Sequence, residues 1–318
     1  MKLRFLKYFT AFSLPLLALV AFYTEGWLCF LPLIEAFIFI PLIELLAKPQ
    51  MANFSKVEEK EALQNKGFDW VLYVVSLIHW TLLFVFLFTI NETDSLVSLV
   101  GRTMSMGLLC GAIGINVAHE LGHRNTKGEQ FLAQSLLLTY LYMHFFIEHN
   151  RGHHKNIGTP QDPATARKGE SLYRFWLRAI WQSYWHAWKI ENASLKKKGV
   201  SVFSLRNQML RFQILQVVFV LIIFLLFGFE ASTLFIAAAI FGFVLLETID
   251  YIEHYGLRRK EISKGVYERT QPHHSWDSNF PVGRLMLFEL SRHADHHYLA
   301  NRKYQILRSH KTAPQMPT

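Results

Sequence analysis

Long apolar segments constrain this 318-residue chain more than any other feature of its sequence. They lie at about residues 5–23, 27–46, 70–90, 96–118, 131–147, 212–229 and 231–249. Most of them approach the roughly 20 apolar residues that a helix needs to cross a bilayer. Charged residues make up only 18% of the chain, whereas soluble domains carry about a quarter. The sequence therefore predicts an all-α integral membrane protein, with one membrane-embedded domain over residues 1–318.

The distribution of basic residues predicts how these segments are oriented. Four lysines lie between residues 47 and 69, and basic residues are frequent between residues 151 and 211, whereas the link at 91–95 carries only acidic charges. By the positive-inside rule, the basic links are cytoplasmic. The segment 131–147 must then enter and leave on one face if the histidine clusters that flank it share one site. We therefore predict about six transmembrane helices, a re-entrant or interfacial helix at 131–147, and a frayed polar tail at 308–318.

Nine of the 15 histidines fall in four short motifs. The motifs are HELGH with His119 and His123, EHNRGHH with His149, His153 and His154, DYIEHYG with His254, and RHADHH with His293, His296 and His297. Spacings of three to five residues bring imidazoles together on one face of a helix. HELGH alone matches the zinc-protease pattern, but zinc hydrolases use three protein ligands and these motifs offer far more. Nine imidazoles suit two metal ions, so the sequence predicts a histidine-rich cap for two metals at the cytoplasmic helix ends.

Several other classes of protein are excluded or disfavoured. The only cysteines, Cys29 and Cys110, lie inside apolar segments, so the chain has no disulfide framework and no built-in rubredoxin site, which needs four thiolates. No dinucleotide fingerprint, nucleic-acid-binding motif or basic and aromatic platform is present. A metal transporter would place histidines along a path through the membrane, whereas only His79 lies deep in a predicted span. The net charge of +9 suits anionic lipid or an acidic protein partner.

The motifs, read as HELGHR, EHNRGHH, DYIEHYGL and LSRHADHH, resemble those of the integral-membrane alkane 1-monooxygenases. The segment ERTQPHHSWDSN at 268–279 is similar to a further segment of that family, and the resemblance extends from about Leu31 to Leu307. Asp250 stands where the family often has Asn, and Ser291 where it often has Gln, but neither change removes a histidine. The related membrane fatty acid desaturases share the general histidine plan. The single-histidine motif and the EHNRGHH string favour the monooxygenases.

The resemblance implies a non-haem di-iron site that uses molecular oxygen to hydroxylate the terminal methyl of medium- to long-chain n-alkanes. The implied iron ligands are His119, His123, His149, His153, His154, His254, His293, His296 and His297. The resemblance also implies a multi-pass protein of a bacterial inner membrane, with its active site on the cytoplasmic side and with rubredoxin or ferredoxin, and a reductase, supplying electrons. The residues leave open a related hydroxylase of aryl-methyl, terpene or fatty-acid ω-carbon substrates, or a lipid desaturase.

Other residues are predicted to support this chemistry. Ligating imidazoles usually donate their other N–H to a carboxylate or carbonyl, which favours the acids that adjoin the motif histidines. These candidates are Glu120, Glu148, Glu253 and Asp295, and His273 and His274 are candidates for a supporting or electron-transfer role. Trp27, Trp80 and Phe84 are candidates to limit the depth of an apolar substrate channel. A basic face is predicted to steer an acidic carrier by charge, and its residues are Arg258, Arg259, Lys260 and Arg292.

Overall fold

The structure, a computed structural model, describes residues 3–90 and 94–316. The first half of the described chain forms helices α1 at Arg4–Tyr23, α2 at Gly26–Leu46, α3 at Lys56–Gln64, α4 at Gly67–Thr89 and α5 at Leu96–Gly122. The second half forms α6 at Lys127–Leu138, α7 at 145–156, α8 at Leu172–Lys197, α9 and α10 within Gln208–His254, strands β1 at Glu261–Ser263 and β2 at Val266–Tyr267, α11 at Pro281–Met286 and α12 at His293–Tyr298. The predicted all-α fold is confirmed, and β1 and β2 add one small antiparallel hairpin.

Five helical stretches in the described ranges are long and apolar enough to cross a membrane, namely α1, α2, α4, α5 and Gln208–His254. The last of these has 47 residues, which would extend about 70 Å as one straight helix. It breaks at Gly228, whose φ of 81° suits a residue without a Cβ. The rings of Phe219 and Phe235 lie 5.5 Å apart, so the two arms fold back on each other. Arms α9 at 208–227 and α10 at 229–254 therefore form the predicted hairpin, and the protein is a multi-pass membrane protein.

A buried ion pair joins the connections at the end of the bundle opposite to the histidines. Arg102 donates to the Asp94 carboxylate at 2.7 Å and to the carbonyls of Thr89 and Thr24 at 2.7 and 2.8 Å. These groups lie where α1 and α4 end and α5 begins. Adjacent helices therefore run in opposite directions, which returns the ends of α5 and α10 to the histidine side.

The segment predicted as one helix at 131–147 is two helices with a turn between them. Helix α6 runs beside α4, because Glu129 accepts from Tyr73 at 3.0 Å and Thr139 contacts Nε2 of His79 at 2.8 Å. The chain then reverses at Leu141, which has a φ of 55°, and α7 leads back to the second histidine motif. The chain therefore reverses within this segment, and its course relative to a membrane stays a prediction. The prediction of one continuous helix was wrong, since the Thr139 hydroxyl bonds to the Leu136 carbonyl where the helix ends.

The tail predicted to fray from residue 308 is packed against the cap. Ser309 donates its N–H to the side-chain oxygen of Asn53 at 2.8 Å. The Asp277 N–H donates to the Pro314 carbonyl at 2.8 Å, and the Met316 N–H donates to the Asp277 carbonyl at 2.7 Å. Ala313 is buried. The prediction of a frayed tail was therefore wrong up to residue 316, because polar side chains and backbone groups of the tail hydrogen-bond to the cap. Residues 317–318 lie outside the described residues.

Candidate metal centre

The nine motif histidines meet at one end of the bundle in two groups. The five-histidine group contains His119, His123, His149, His154 and His296. The four-histidine group contains His153, His254, His293 and His297. Within each group the potential ligand nitrogens all lie within 4.8 Å of one another. The structure therefore brings together every histidine that the four motifs single out.

His154 lies at the centre of the five-histidine group. Its Nε2 atom is 3.1 Å from Nε2 of His123, 3.0 Å from Nε2 of His149 and 2.9 Å from Nε2 of His296. Two ligand atoms at right angles, each about 2.1 Å from one ion, lie about 3 Å apart. The spacing of these nitrogens therefore suits a single metal ion bound between the rings.

The four-histidine group has the same spacing. Nε2 of His297 is 2.8 Å from Nε2 of His293 and 3.2 Å from Nε2 of His153, and Nε2 of His293 is 3.1 Å from that of His254. The rings of His154 and His297 lie 4.6 Å apart, so the two groups are neighbours. The arrangement therefore suits two adjacent ions, one for each group.

Two pairs of adjacent histidines divide between the groups. His153 faces the four-histidine group and His154 the five-histidine group, and His297 and His296 divide in the same way. Successive residues of an α-helix point about 100° apart, because a turn contains 3.6 residues. One doublet on a short helix can therefore supply a ligand to each of two neighbouring ions. The first doublet follows a π-helical turn at His149–His153, a feature frequent at functional sites.

The ring nitrogens are left without protein partners in a way that fits bound metal. Both ring nitrogens of His119 are buried without a hydrogen-bond partner among the described residues. A neutral imidazole has one donor and one acceptor nitrogen, so several Nε2 atoms that face one another at about 3 Å cannot all be satisfied by each other. A cation accepts lone pairs from all of them at once. The donor set is all imidazole, which suits iron, copper, nickel and zinc.

The protonation state of three rings in the five-histidine group favours the same function. Burial, together with neighbouring imidazoles, holds the pKa of His149, His154 and His296 well below its ordinary value. These rings are therefore neutral near pH 7, and neutral imidazole is the form that binds metal.

An apolar cavity leads away from the histidines. A small cavity of about 30 Å³ is lined by His119, His149 and His293, so it faces both groups. It shares the wall residues Asn116 and Glu253 with a larger cavity of about 210 Å³ that is lined mostly by apolar side chains. An apolar chain lying in the larger cavity therefore has its end beside the histidines.

The larger cavity extends into the membrane-spanning part of the bundle. It reaches Leu108, which precedes His119 by 11 residues of α5, or about 16 Å along the helix. Its wall includes Phe37 of α2 and Met286 of α11, and half of the surface of Phe37 is exposed on the outside of the bundle. The cavity is thus placed to receive an apolar molecule from the bilayer.

Comparison with known proteins places the chain in a family. The profile of the fatty acid desaturase family matches residues 94–318. The chain is 37% identical to alkane 1-monooxygenase 2 of Pseudomonas aeruginosa, over 87% of this chain and 74% of the relative. It is 35% identical to alkane 1-monooxygenase 1 of Alcanivorax borkumensis, over 96% of this chain and 76% of the relative. The chain belongs to the alkane 1-monooxygenase family.

This chain is also similar to the xylene/toluene monooxygenase hydroxylase component of Pseudomonas putida. It is 30% identical over 71% of this chain and 60% of the relative. The predicted resemblance to the alkane monooxygenases and to the wider desaturase family is therefore confirmed. Membership of the family also implies an electron-transfer partner, because a monooxygenase consumes external electrons.

Asp162 contacts a motif histidine, although no histidine motif in the sequence predicted this contact. Its two carboxylate oxygens lie 3.0 and 3.1 Å from Nδ1 of His153, and it also accepts from Thr165 at 2.5 Å. Burial opposes a charge on His153, but Asp162 outweighs it and raises the pKa of His153 to about 9. Asp162 follows the histidine motif by eight residues, in a loop, so only the Asp-Pro turn signal marked it in the sequence.

We predict that Asp162→Asn loosens metal binding at the four-histidine group. The amide keeps the shape and one acceptor oxygen but removes the charge that strengthens the hydrogen bond from His153. Such partners contribute about 10- to 100-fold to metal affinity or activity, so release of metal to a chelator should be faster by a factor in that range. Asp69→Asn is the matched control, because Asp69 pairs with Arg124 and Lys303 instead of a motif histidine. Equal release rates for wild type and Asp162→Asn would contradict the role.

Three of the four predicted supporting acids bind other basic groups. Glu120 pairs with Arg124 at 2.7 Å, Glu148 accepts from Nδ1 of His186 at 2.9 Å, and Asp295 accepts from Nε2 of His310 at 2.7 Å. Prediction that these acids hydrogen-bond to motif histidines was therefore wrong. Sequence adjacency misled because the side chain next to a ligand on a helix points away from it.

Glu253 differs from the other three acids. One of its carboxylate oxygens lies 3.3 Å from Nε2 of His293, the nitrogen that faces the four-histidine group. It thus faces the proposed metal position, on the wall where the two cavities adjoin.

His273 and His274 lie outside both histidine groups. Nδ1 of His274 accepts the backbone N–H of Gln271 at 2.9 Å, and its Nε2 lies 3.3 Å from Glu268. His273 is exposed. The structure therefore does not bring these two histidines to the site that the motifs form.

The three residues predicted to limit the substrate channel are elsewhere. Trp27 is 77% exposed, and Trp80 packs against Phe84 and Phe219 and donates to Ser135. None of the three predicted residues lines the larger cavity. The prediction that these large aromatic side chains limit the channel was wrong, because their rings pack between α4 and α9 or face outward.

Two of the four cations predicted for carrier docking have structural roles. Arg292 is buried and donates to the carbonyls of Leu307, Gln50 and Ala52. Arg259 is half-buried and donates to the Glu268 carbonyl at 2.6 Å. The prediction that these two arginines dock a carrier was therefore wrong, since their guanidinium groups donate to backbone carbonyls inside the cap. The other two predicted docking residues, Arg258 and Lys260, are exposed.

Proposed function

We propose that this chain hydroxylates the terminal methyl of medium- to long-chain n-alkanes to primary alcohols, with two non-haem iron ions and molecular oxygen as co-substrate. The five- and four-histidine groups hold the two ions. The observation that carries the proposal is the position of these groups at the inner end of an apolar cavity. Relatives that carry the name alkane 1-monooxygenase, at 35–37% identity, support the substrate class.

The chemistry of the substrate explains why a metal site is needed. An aliphatic C–H bond has no acidic proton and no leaving group, so general-base and nucleophilic catalysis cannot break it. The bound metal pair supplies the oxygen activation that this bond requires. The overall reaction takes one alkane, one oxygen molecule, two electrons and two protons to one alcohol and one water.

The protein's own contribution is to position the substrate and keep water out. The apolar walls formed by Leu108, Leu245 and Met286 bind the chain without offering hydrogen bonds, so only its length and shape are recognised. The narrow passage beside Asn116 and Glu253 brings the terminal carbon to the histidines before the internal carbons. This order favours hydroxylation at the end of the chain.

The proposal includes a location and partners. We place the protein in a bacterial inner membrane with the histidines on the cytoplasmic side, because the basic links then lie inside. Electrons come from a separate rubredoxin or ferredoxin with its reductase, since the chain has only two cysteines and both are buried in the bundle.

A second candidate is hydroxylation of a methyl group on an aromatic ring. The relative named as a xylene/toluene monooxygenase component favours it, although its identity to this chain is lower, at 30%. Both activities use the same centre and differ in the shape of the cavity. The identity of the reaction product distinguishes these two activities from each other. It also distinguishes them from those of a fatty-acid hydroxylase, a terpene hydroxylase and a desaturase.

The test is to supply purified protein in lipid nanodiscs with iron, reduced carrier, isotopically labelled oxygen and one substrate at a time. With n-octane to n-hexadecane we expect the primary alcohol carrying one labelled oxygen atom. Faster turnover of toluene or xylene to the benzylic alcohol would favour the second candidate. An alkene product without labelled oxygen would overturn hydroxylation.

A further inference from the structure

The segment ERTQPHHSWDSN at 268–279 contributes no histidine to the five- or the four-histidine group. Its last five residues, 275–279, are called the SWDSN segment below, and they lie between the third and the fourth histidine motifs in the chain. Ser275, Asp277 and Asn279 are buried, so the SWDSN segment passes through the inside of the cap. Buried backbone groups need hydrogen-bond partners, and the partners of this segment show what it holds in place.

Trp276 holds the backbone on both sides of His254. Its N–H donates to the Glu253 carbonyl at 2.9 Å, and its indole Nε1–H donates to the Tyr255 carbonyl at 3.1 Å. These two carbonyls precede and follow His254 where α10 ends, and the last carbonyls of a helix have no partner inside it. A single tryptophan therefore fixes the chain around the motif histidine of α10.

Asp277 holds the backbone beside His293. Its Oδ1 atom accepts the N–H of Ala294 at 2.7 Å, in the first turn of α12, where the N–H groups lack partners inside the helix. The next residue adds a second connection, since the N–H of Ser278 donates to the Ser291 carbonyl at 2.8 Å. Adjacent residues of the SWDSN segment therefore connect the backbone beside one motif histidine to the backbone beside another.

The C-terminal tail fixes the SWDSN segment in turn. The N–H of Asp277 donates to the Pro314 carbonyl at 2.8 Å, and the N–H of Met316 donates to the Asp277 carbonyl at 2.7 Å. The side-chain amide of Asn279 donates to the side-chain oxygen of Gln315 at 2.8 Å. The backbone of Asp277 is thus held through both its N–H and its carbonyl, so its carboxylate cannot move far without breaking these bonds.

The two histidines that the segment connects have no support of the usual kind. Ligating imidazoles usually donate their other N–H to a carboxylate or a carbonyl, and Asp162 offers His153 such a partner. Nδ1 of His254 and Nδ1 of His293 are buried without a hydrogen-bond partner among the described residues. Their Nε2 atoms nevertheless lie 3.1 Å apart in the four-histidine group. The positions of these two rings therefore depend on the backbone that carries them and on packing.

We propose that Trp276 and Asp277 are positioning residues that set the separation of His254 and His293, and thereby hold the four-histidine group in its metal-binding geometry. This inference rests on the proposed metal centre and assigns a role to the SWDSN segment. Four of the five histidines in the other group come from the first two motifs, which the SWDSN segment does not contact through any of these bonds. The ion of the four-histidine group should therefore depend on the segment more strongly than the other ion does.

Release of metal to a chelator tests the proposal, with the iron-loaded protein in nanodiscs. Trp276→Phe keeps the aromatic ring and removes the indole donor, and Asp277→Leu leaves the N–H of Ala294 without its acceptor. About half of the metal should leave faster, roughly 2- to 12-fold in Trp276→Phe, which loses one hydrogen bond, and roughly 5- to 160-fold in Asp277→Leu, which leaves a buried donor unpaired. The other half should leave at the wild-type rate. Asp277→Asn keeps the acceptor oxygen and should release both ions at close to the wild-type rate.

Trp80→Phe is the matched control, because it loses an indole hydrogen bond to Ser135 inside the bundle. It should leave both phases of release unchanged. Mössbauer spectra should change for one of the two iron ions in Trp276→Phe, whereas a general loss of stability would speed both phases alike.

Equal acceleration of both phases would overturn the proposal, and so would wild-type release in both Trp276→Phe and Asp277→Leu. Because metal release does not need an alkane, a wild-type protein that binds two ions and hydroxylates no alkane would refute only the proposed function.

Discussion

Replacing His153 or His296 with alanine should lower alkane hydroxylation by more than about 100-fold, because loss of a supporting partner alone costs about 10- to 100-fold at metal sites. The two residues belong to different groups, His153 to the four-histidine group and His296 to the five-histidine group. Each variant should therefore lose mainly one of the two metal ions. Metal content by mass spectrometry and product formation with n-octane measure the two effects.

His273→Ala is the control for both variants. His273 is exposed and lies outside the two groups, so this change should leave metal content and turnover near the wild-type values. All three variants should insert in the membrane in similar amounts. Retention of activity by both His153→Ala and His296→Ala would show that the histidine groups are not the catalytic centre.

Narrowing the apolar cavity should shorten the alkanes that are accepted. Ala112 lies on α5 between Leu108 and Asn116 and lines the larger cavity. Ala112→Phe fills the part of the cavity that the distal end of a long chain must pass, and overpacking costs about 1–3 kcal/mol, or roughly 5- to 160-fold. Turnover of n-hexadecane should fall by a factor in that range, and turnover of n-octane should fall less. Leu108→Ala should act in the opposite direction by deepening the cavity.

The comparison uses competition between alkanes of different length in one reaction. Ala237→Phe is the matched control, because Ala237 is exposed on the outer surface of α10 and receives the same added volume. It should leave the ratio of products unchanged. An unchanged ratio in both Ala112→Phe and Leu108→Ala would mean that the substrate lies elsewhere.

The parts of the structure that sequence patterns predicted are those governed by local rules. Apolar length identified the membrane helices, and Gly228 separates the two arms of the predicted hairpin. Histidine spacing identified all nine members of the two groups, since i and i+4 positions share a helical face. The division of adjacent histidines such as His153 and His154 between groups needed the helix directions, which spacing alone does not set.

The features that the sequence did not reveal depend on contacts between distant segments. Asp162 reaches His153 across a loop, and Arg292 binds carbonyls of Gln50 and Leu307 that are remote in sequence. The position of Arg292 next to a histidine motif therefore suggested a docking residue on the surface. In the structure its guanidinium instead hydrogen-bonds to backbone carbonyls inside the protein. Large aromatic residues suggested a channel wall, but the larger cavity is lined mostly by aliphatic residues such as Leu108.

Metal content tests the central claim most directly. The protein should be purified in mild detergent without added metal, analysed for iron and zinc, and examined by Mössbauer spectroscopy after growth on an enriched iron isotope. We predict about two iron ions per chain in an all-nitrogen environment, because two imidazole groups each provide the spacing for one ion. Stoichiometric zinc without iron, with full hydroxylation activity in that form, would contradict the account.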